Sequence, residues 1–113
     1  MPKIVLYYDL GSQPCRAVLS LLKAGDVDFE ERYVNRWKNE HKTPEILAIN
    51  PVGKIPFITV DDKPMFESAA ILRYLAQAIP SLHKYYPNDL FVRQMTDAAM
   101  DFNGTVMRPM FVA

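Results

Sequence analysis

Cysteine and histidine are scarce in this chain, with one cysteine and two histidines among 113 residues. A single cysteine cannot form an internal disulfide, so nothing in the sequence requires an oxidising compartment. Three potential ligands of these two types are also too few for the common structural zinc sites. We therefore expect neither a disulfide nor a metal.

An excess of either charge sign is missing as well, since Lys plus Arg and Asp plus Glu both number 13. Without a net charge or a basic run, nucleic acid and anionic membrane surfaces are poor candidate partners. No apolar run approaches the roughly 20 residues of a membrane-spanning helix, and the N-terminus lacks the pattern of a signal or transit peptide. These absences favour a soluble cytoplasmic protein.

The chain does have enough apolar material for one ordinary domain. Half of its residues are hydrophobic and 23% are charged, a composition typical of globular proteins. A chain of this length can bury a real core.

A buried strand followed by a helix is predicted at the N-terminal end. Residues 4–8 are apolar at nearly every position, which is typical of a strand covered on both faces. Gly11 permits a turn, and an apolar stripe at helical spacing then runs to Gly25, which ends the helix. The members of the stripe are Cys15, Val18, Leu19 and Leu22.

The junction between this strand and this helix favours an anion. Free backbone N–H groups and the positive end of the helix dipole meet there beside the Ser12 hydroxyl. Ser12 also suits a plain N-cap, with Pro14 in the first turn. Cys15 fits a small core residue better than a redox nucleophile, because a reactive thiol is partly exposed. The corner alone leaves both roles open for Ser12.

A second strand is predicted at residues 29–34, which completes a β-α-β unit with a right-handed crossover. A polar segment follows and ends at His41 and Lys42. A short helix then begins with Thr43 as its cap and Pro44 at its first position.

The segment Asn50–Pro56 is predicted to present a backbone edge. The residue before a proline is pushed to an extended conformation, so Ile55 would offer its N–H and C=O sideways. A cis Ile55–Pro56 bond would fix that edge, and an exposed edge can pair with a peptide. An ordinary trans proline at the start of a strand is the alternative.

A hairpin and a second anion-favouring helix start follow. Residues 57–60 and 64–66 are predicted to form two strands joined by the loop 61–63. Glu67 and Ser68 then precede a helix over 69–79, with Ser68 at or beside the cap. A carboxylate beside a helix N-terminus matches an amino-acid head group, which carries one amine and one carboxylate. A cap and a surface acid are the alternative.

The last third of the chain is predicted to be a turn-rich connector and one further helix. Residues 80–88 contain two prolines and no clear element. From about Asp89, apolar residues at helical spacing form one face and charged residues another. The apolar face comprises Phe91, Met95, Ala98, Phe102 and Val106, and the other carries Arg93, Asp97 and Asp101. Because the chain finishes on an apolar run, either it is a fragment or another chain covers this face.

Four of these segments together resemble glutathione transferases of the serine type. The segments are Ser12–Ala17, His41–Lys42, Asn50–Pro56 and Glu67–Ser68, and the theta class is the most similar, with the delta class next. The resemblance implies an α/β, thioredoxin-like fold with the order β-α-β-α-β-β-α and a four-stranded mixed sheet. It further implies a glutathione-binding domain over 1–80, a linker over 81–88 and, over 89–113, the first helix of a truncated helical domain.

The resemblance also implies a site and an activity. Ser12 would stabilise the thiolate of glutathione for attack on a small electrophile, with glutathione as co-substrate, in a detoxifying homodimer. Residues implied to bind glutathione are His41, Lys42, Lys54, Ile55, Pro56, Glu67 and Ser68. A non-catalytic binding or scaffold module built on the same domain is the alternative, and a Cys15 thiol-disulfide oxidoreductase is disfavoured by the buried stripe.

Overall fold

A computed structural model describes residues 1–107 and residue 109 of the chain, without the side chain of Val106. Most of the apolar run that ends the sequence therefore lies outside the described residues.

The fold is built on a mixed sheet of four strands in the order β2-β1-β3-β4. These strands are β1 (Ile4–Tyr8), β2 (Glu30–Tyr33), β3 (Phe57–Val60) and β4 (Lys63–Met65). β1 pairs in parallel with β2 and antiparallel with β3, and β3 pairs antiparallel with β4. The predicted β-α-β unit, hairpin and mixed sheet are thus confirmed, although Lys63 belongs to β4 and not to the turn.

β1 lies at the centre of the sheet and is buried on both faces, as predicted from its continuous apolar run. Ile4 and Leu6 belong to one core cluster, and Val5 and Tyr7 to the other. Tyr7 stacks on Phe57 of β3, with 4.3 Å between the ring centroids. Burial on both faces fixes the carboxyl end of β1, where the polar corner begins.

Helices cover both faces of the sheet. The first face packs against α1 (Gln13–Ala24) and α3 (Ser68–Ala78), and the second against the short α2 (Pro44–Ile49). The expected caps are present: Thr43 Oγ1 accepts from Ile46 N at the start of α2, and Gly25 ends α1. This arrangement is the thioredoxin-like fold that the sequence implies.

The segment 81–88, expected to be a linker without an element of its own, contains most of a 3₁₀ helix at Pro80–Tyr85. Leu82 is fully buried, and Tyr86 is buried beside it in the larger core cluster. The expectation of a plain connector was wrong because two apolar side chains in a proline-flanked stretch pack back onto the domain.

The last described helix, α4 (Leu90–Phe102), is followed by one π-helical turn at Asn103–Met107. Asp89 caps α4 by accepting from Val92 N at 3.0 Å. The charged face of α4 contacts the rest of the domain: Arg73 of α3 pairs with Asp97 at 2.9 Å and with Asp101 at 3.3 Å. The apolar stripe points into solvent. Its exposed members include Phe91, Met95, Ala98 and Phe102.

Candidate functional site

The corner between β1 and α1 is organised by Ser12, whose backbone is extended and precedes the first turn of the helix. Its N–H donates to the Asp9 carbonyl at 3.0 Å, and its Oγ accepts from the Cys15 N–H at 3.3 Å. Ser12 is therefore an N-cap. This role uses an acceptor lone pair of the hydroxyl, which leaves its proton for donation to a second group.

The neighbouring thiol of Cys15 is part of the core. Its side chain has no exposed surface, and burial raises its pKa above the ordinary value. A buried thiol that ionises late is a poor nucleophile. The interpretation of Cys15 as a small core residue is thus confirmed, and a redox role is disfavoured.

The loop that ends at Pro56 presents a free backbone edge. The Ile55–Pro56 peptide bond is cis. Within the described residues, neither the N–H nor the C=O of Ile55 has a backbone hydrogen bond. Buried Asn50 shapes the loop, because its amide donates to the Lys54 carbonyl at 2.8 Å and accepts from Val52 N at 3.1 Å.

The start of α3 places a strained residue beside a helix N-terminus. Ser68 is the first helical residue, and Glu67 occupies the cap position with φ 69° and ψ 111°. A positive φ is costly for a residue with a Cβ atom. The Glu67 side chain makes no capping hydrogen bond, so its carboxylate is free of the helix it precedes.

An open cleft of about 790 Å³ joins these elements on one side of the molecule. α1, the cis-proline loop, the start of α3 and the end of α4 line it. Five of the residues implied by the resemblance lie along it, whereas Ser12 is buried at 6% exposure and is not a lining residue, although its neighbour Gln13 is. These five are Lys54, Ile55, Pro56, Glu67 and Ser68.

His41 and Lys42 lie apart from the cleft lining. Both belong to a 3₁₀ turn at Glu40–Lys42 that follows β2. Lys42 approaches the cis-proline loop, since a Cβ atom on Gly53 would lie 2.8 Å from Lys42 Nζ. The Nδ1 atom of His41 is buried and finds no hydrogen-bond partner in the described part of the chain. The structure thus places Lys42 beside the loop that leads to Lys54 and leaves His41 outside the cleft.

Two groups of residues that shape this region were not singled out from the sequence. Asn50 sets the loop before Pro56, and the only local signal for it is an asparagine directly before a proline. Asp9 and Arg36 meet across 27 positions of sequence beside Ser12. An acidic residue at the end of a buried strand was a weak signal for Asp9, and no local pattern indicated its partner.

Two other kinds of site are not found in the described part of the chain. Residues 1–107 and 109 contain no group of three or more His, Cys, Asp or Glu side chains placed to hold a metal ion. No helix among them has both the length and the apolar character needed to cross a bilayer.

The fold and the cleft define a class of protein. The structure contains four features that the resemblance to glutathione transferases implies: a thioredoxin-like sheet, a serine at the start of α1, a cis-proline with a free edge before it and an acidic residue at the cap of α3. The chain belongs to the family described as glutathione S-transferase, N-terminal domain, whose sequence model matches residues 4–77.

Curated relatives place the chain near the theta class within that family. Glutathione S-transferase T2 of Arabidopsis thaliana is 40% identical over 95% of the chain, which covers 18% of that relative. Glutathione S-transferase T1 of the same plant is 39% identical over 96% of the chain and 44% of its own length. Human glutathione S-transferase theta-1 is 38% identical over 91% of the chain and 43% of its own length. The chain therefore spans less than half of each of these relatives.

Solved structures agree with the sequence relatives. The apo form of human glutathione-S-transferase T1-1 superposes with a TM-score of 0.87 at 37% identity, over 93% of this chain and 44% of that one. Human glutathione transferase theta-2, solved with glutathione and an unknown ligand, gives a TM-score of 0.85 at 36% identity, over 89% and 42%. The thioredoxin-like fold and the theta-like resemblance are thus confirmed.

Proposed function

We propose that this chain binds glutathione and activates its thiol for attack on a small electrophile. The observation that carries the proposal is that Ser12 Oγ accepts from Cys15 N at 3.3 Å; because this contact uses only an acceptor site, the hydroxyl can also donate to a thiolate. The proposed role is electrostatic, because Ser12 forms no covalent bond to the substrate.

The required change in thiol acidity is within reach of this corner. A free cysteine thiol has a pKa of about 8.5, and each unit of lowering needs about 1.4 kcal/mol of preferential stabilisation of the anion. A hydrogen bond to a charged group contributes about 1.5 to 3 kcal/mol. A helix N-terminus adds about 0.3 to 2 kcal/mol. At their lower values the two contributions together meet the roughly 1.4 kcal/mol that one unit requires, and at their upper values they exceed the roughly 2.8 kcal/mol of two units.

We assign each of the remaining residues of the proposed site to one part of the glutathione tripeptide. We assign the backbone of Ile55, held by Pro56, to the cysteinyl part of glutathione, where an extended peptide can pair with a free edge. We assign Glu67 to the ammonium of the γ-glutamyl end, and the Ser68 end of α3 to its carboxylate.

Basic side chains beside the cis-proline loop would bind the glycine end of the tripeptide. We assign His41 and Lys42 to the glycine carboxylate, with Lys54 beside them. Lys42 already lies against Gly53 of this loop. Since neither His41 nor Lys42 belongs to the cleft lining, both contacts would need a ligand that extends beyond that lining.

The organisation of the working protein is part of the proposal. The chain would comprise a glutathione-binding domain over 1–80, a linker over 81–88 and the first helix of a helical domain over 89–113. Glutathione transferase activity of this kind would serve detoxification in the cytoplasm, as a homodimer. We propose no metal, nucleic acid or membrane partner.

Replacing Ser12 tests the activity directly. We expect Ser12→Ala to stay on glutathione resin, because the backbone edge and the two ends of the tripeptide remain bound. Conjugation of a standard electrophile should fall about ten- to hundredfold, the equivalent of one hydrogen bond to a charged group. Ser20→Ala, an exposed serine on the same helix, is the matched control. Unchanged turnover in Ser12→Ala would refute the role.

A further inference from the structure

A buried carboxylate outside the proposed substrate contacts holds the Ser12 corner. Asp9 is 3% exposed, at the carboxyl end of β1. Its Oδ1 accepts from Gly11 N at 2.9 Å, and its carbonyl accepts from Ser12 N at 3.0 Å. Both bonds close the turn that delivers Ser12 to the helix start. Asp9 therefore orders the Ser12 corner although it does not line the cleft.

The same carboxylate reaches a second loop, the one that follows β2. Oδ2 of Asp9 accepts from Arg36 N at 3.1 Å, and Arg36 Nε lies 3.7 Å from the same oxygen. The guanidinium lies over Gly11, since a Cβ atom there would be 3.3 Å from Arg36 Nη2. The Nε atom is buried and has no hydrogen-bond partner among the described residues. One anion and one cation thus join the Ser12 corner to the loop that leads to Lys42.

The positive charge of Arg36 has a role beyond packing, because it can compensate the negative charge of Asp9. An ionised Asp9, two residues before Gly11 and three before Ser12, would oppose a second anion at the corner. Arg36 lies against that carboxylate and offsets its charge. Another charged group at the corner is Arg16 of α1, whose guanidinium donates to the Leu10 carbonyl. Arg36 is the cation that contacts Asp9 within the described residues.

We propose that Asp9 and Arg36 form a clamp that orders the Ser12 corner and cancels the negative charge behind it, which makes Arg36 a positioning residue for the thiolate site. Only the second part of this inference, the cancellation of negative charge, rests on the proposed function. The ordering of the corner can be measured without glutathione.

Cys15 is a built-in probe of that order. It is the sole cysteine, has no exposed surface and donates its N–H to Ser12 Oγ. Its alkylation therefore requires local opening of the corner, so the rate follows the opening equilibrium. We expect iodoacetamide to label Arg36→Met and Asp9→Asn about fivefold faster than wild type, the effect of about 1 kcal/mol on that equilibrium. Arg36→Lys should recover most of the protection.

The matched control is Arg32→Met, which removes an exposed arginine of β2 that pairs with exposed Glu30. It should leave the labelling rate unchanged. Circular dichroism melts will show whether each variant is folded at the labelling temperature. The Arg36 side chain is 40% exposed, so we expect Arg36→Met to fold. The test therefore remains valid even if Asp9→Asn does not fold. Wild-type labelling rates in Arg36→Met would overturn the clamp.

The charge half of the proposal is read from the ionisation of bound glutathione. Its thiol should titrate at a higher pH in Arg36→Met than in wild type or Arg32→Met, because Asp9 is then uncompensated. The double variant Asp9→Asn with Arg36→Met should return toward wild type, since neither charge remains. If the thiol of glutathione bound to the double variant titrates at a still higher pH than with Arg36→Met, the pair has only a structural role. That result would overturn the charge-compensation part of the proposal. If wild-type protein does not shift the thiol at all, the proposed function fails, and the labelling result still decides the clamp.

Discussion

The hydroxyl oxygen of Ser12 lies 3.3 Å from the backbone nitrogen of Cys15. This contact makes Ser12 the N-cap of α1 and leaves its hydroxyl proton available for donation, because a hydroxyl can accept and donate at once. The two roles are separable by experiment, since only the second needs an O–H group.

Substitutions at Ser12 should therefore affect stability and activity differently. Glycine is nearly as good an N-cap as serine, whereas alanine costs about 1 kcal/mol. We expect Ser12→Gly to unfold at nearly the wild-type urea concentration and Ser12→Ala at a lower one. Both should lose conjugation to the same extent, because both lack the hydroxyl. Higher activity in Ser12→Gly than in Ser12→Ala would show that the loss comes from the cap.

Asp9 should contribute stability that depends on pH. Hydrogen bonds from the Gly11 and Arg36 amides hold the pKa of this carboxyl below its usual range. A group with a lowered folded pKa stabilises the fold above its unfolded pKa of about 3.9, and the contribution disappears as the pH falls through the lowered value. Asp9→Asn should therefore cost about 2 kcal/mol at pH 7. The cost should shrink below about pH 4.

Urea unfolding of wild type and Asp9→Asn across this pH range measures the difference. Asp28→Asn is a suitable control, because Asp28 is exposed and has no salt bridge in the described residues. A difference between wild type and Asp9→Asn that stays constant down to pH 3 would contradict the assignment.

Glu67 combines backbone strain with a proposed ligand contact. Its φ of 69° suits glycine better than any residue with a Cβ atom. We expect Glu67→Gly to be about 1 kcal/mol more stable than Glu67→Ala. Both should bind glutathione more weakly by a similar factor, because both lack the carboxylate. Calorimetric titration and urea unfolding of the two variants provide the comparison, and equal stabilities would argue against strain at this position.

Arg73 should hold α4 against the domain. Its guanidinium pairs with Asp97 and Asp101, and Tyr86 Oη donates to Asp97 at 2.8 Å. A helix of 13 residues is marginal by itself in water. We expect faster hydrogen exchange of α4 amides in Arg73→Met, with α1 and α3 unchanged. Arg32→Met is again the control, and slow α4 exchange in Arg73→Met would contradict this attachment.

The elements were predictable where the signal is local. The apolar run of β1, the Thr43–Pro44 helix start and the stop at Gly25 each depend on neighbours in sequence, and each was confirmed. The 3₁₀ helix after Pro80 was missed because its order comes from Leu82, which packs against the core.

The orientation of α4 shows a second limit. Its two faces were identified from the sequence, but the face that contacts the domain is the charged one. Periodicity shows that a helix has an apolar face, but it does not show what covers that face.

The candidate site, too, was predictable only where its signal is local in the sequence. Ser12, Ile55 and Glu67 were singled out because each stands at a turn or helix start with its own local pattern, and their assignment to glutathione came from the family resemblance. The pairing of Asp9 with Arg36 was not found, since it joins two loops 27 residues apart. Such tertiary pairing leaves no trace in spacing or composition.

The central claim is that the Ser12 corner makes the thiol of bound glutathione more acidic, and an ultraviolet titration of the thiolate band tests it most directly. The complex should titrate one to two units below the pKa of free glutathione, and the Ser12→Ala complex should titrate close to free glutathione. Identical midpoints for free and wild-type-bound glutathione would contradict the account.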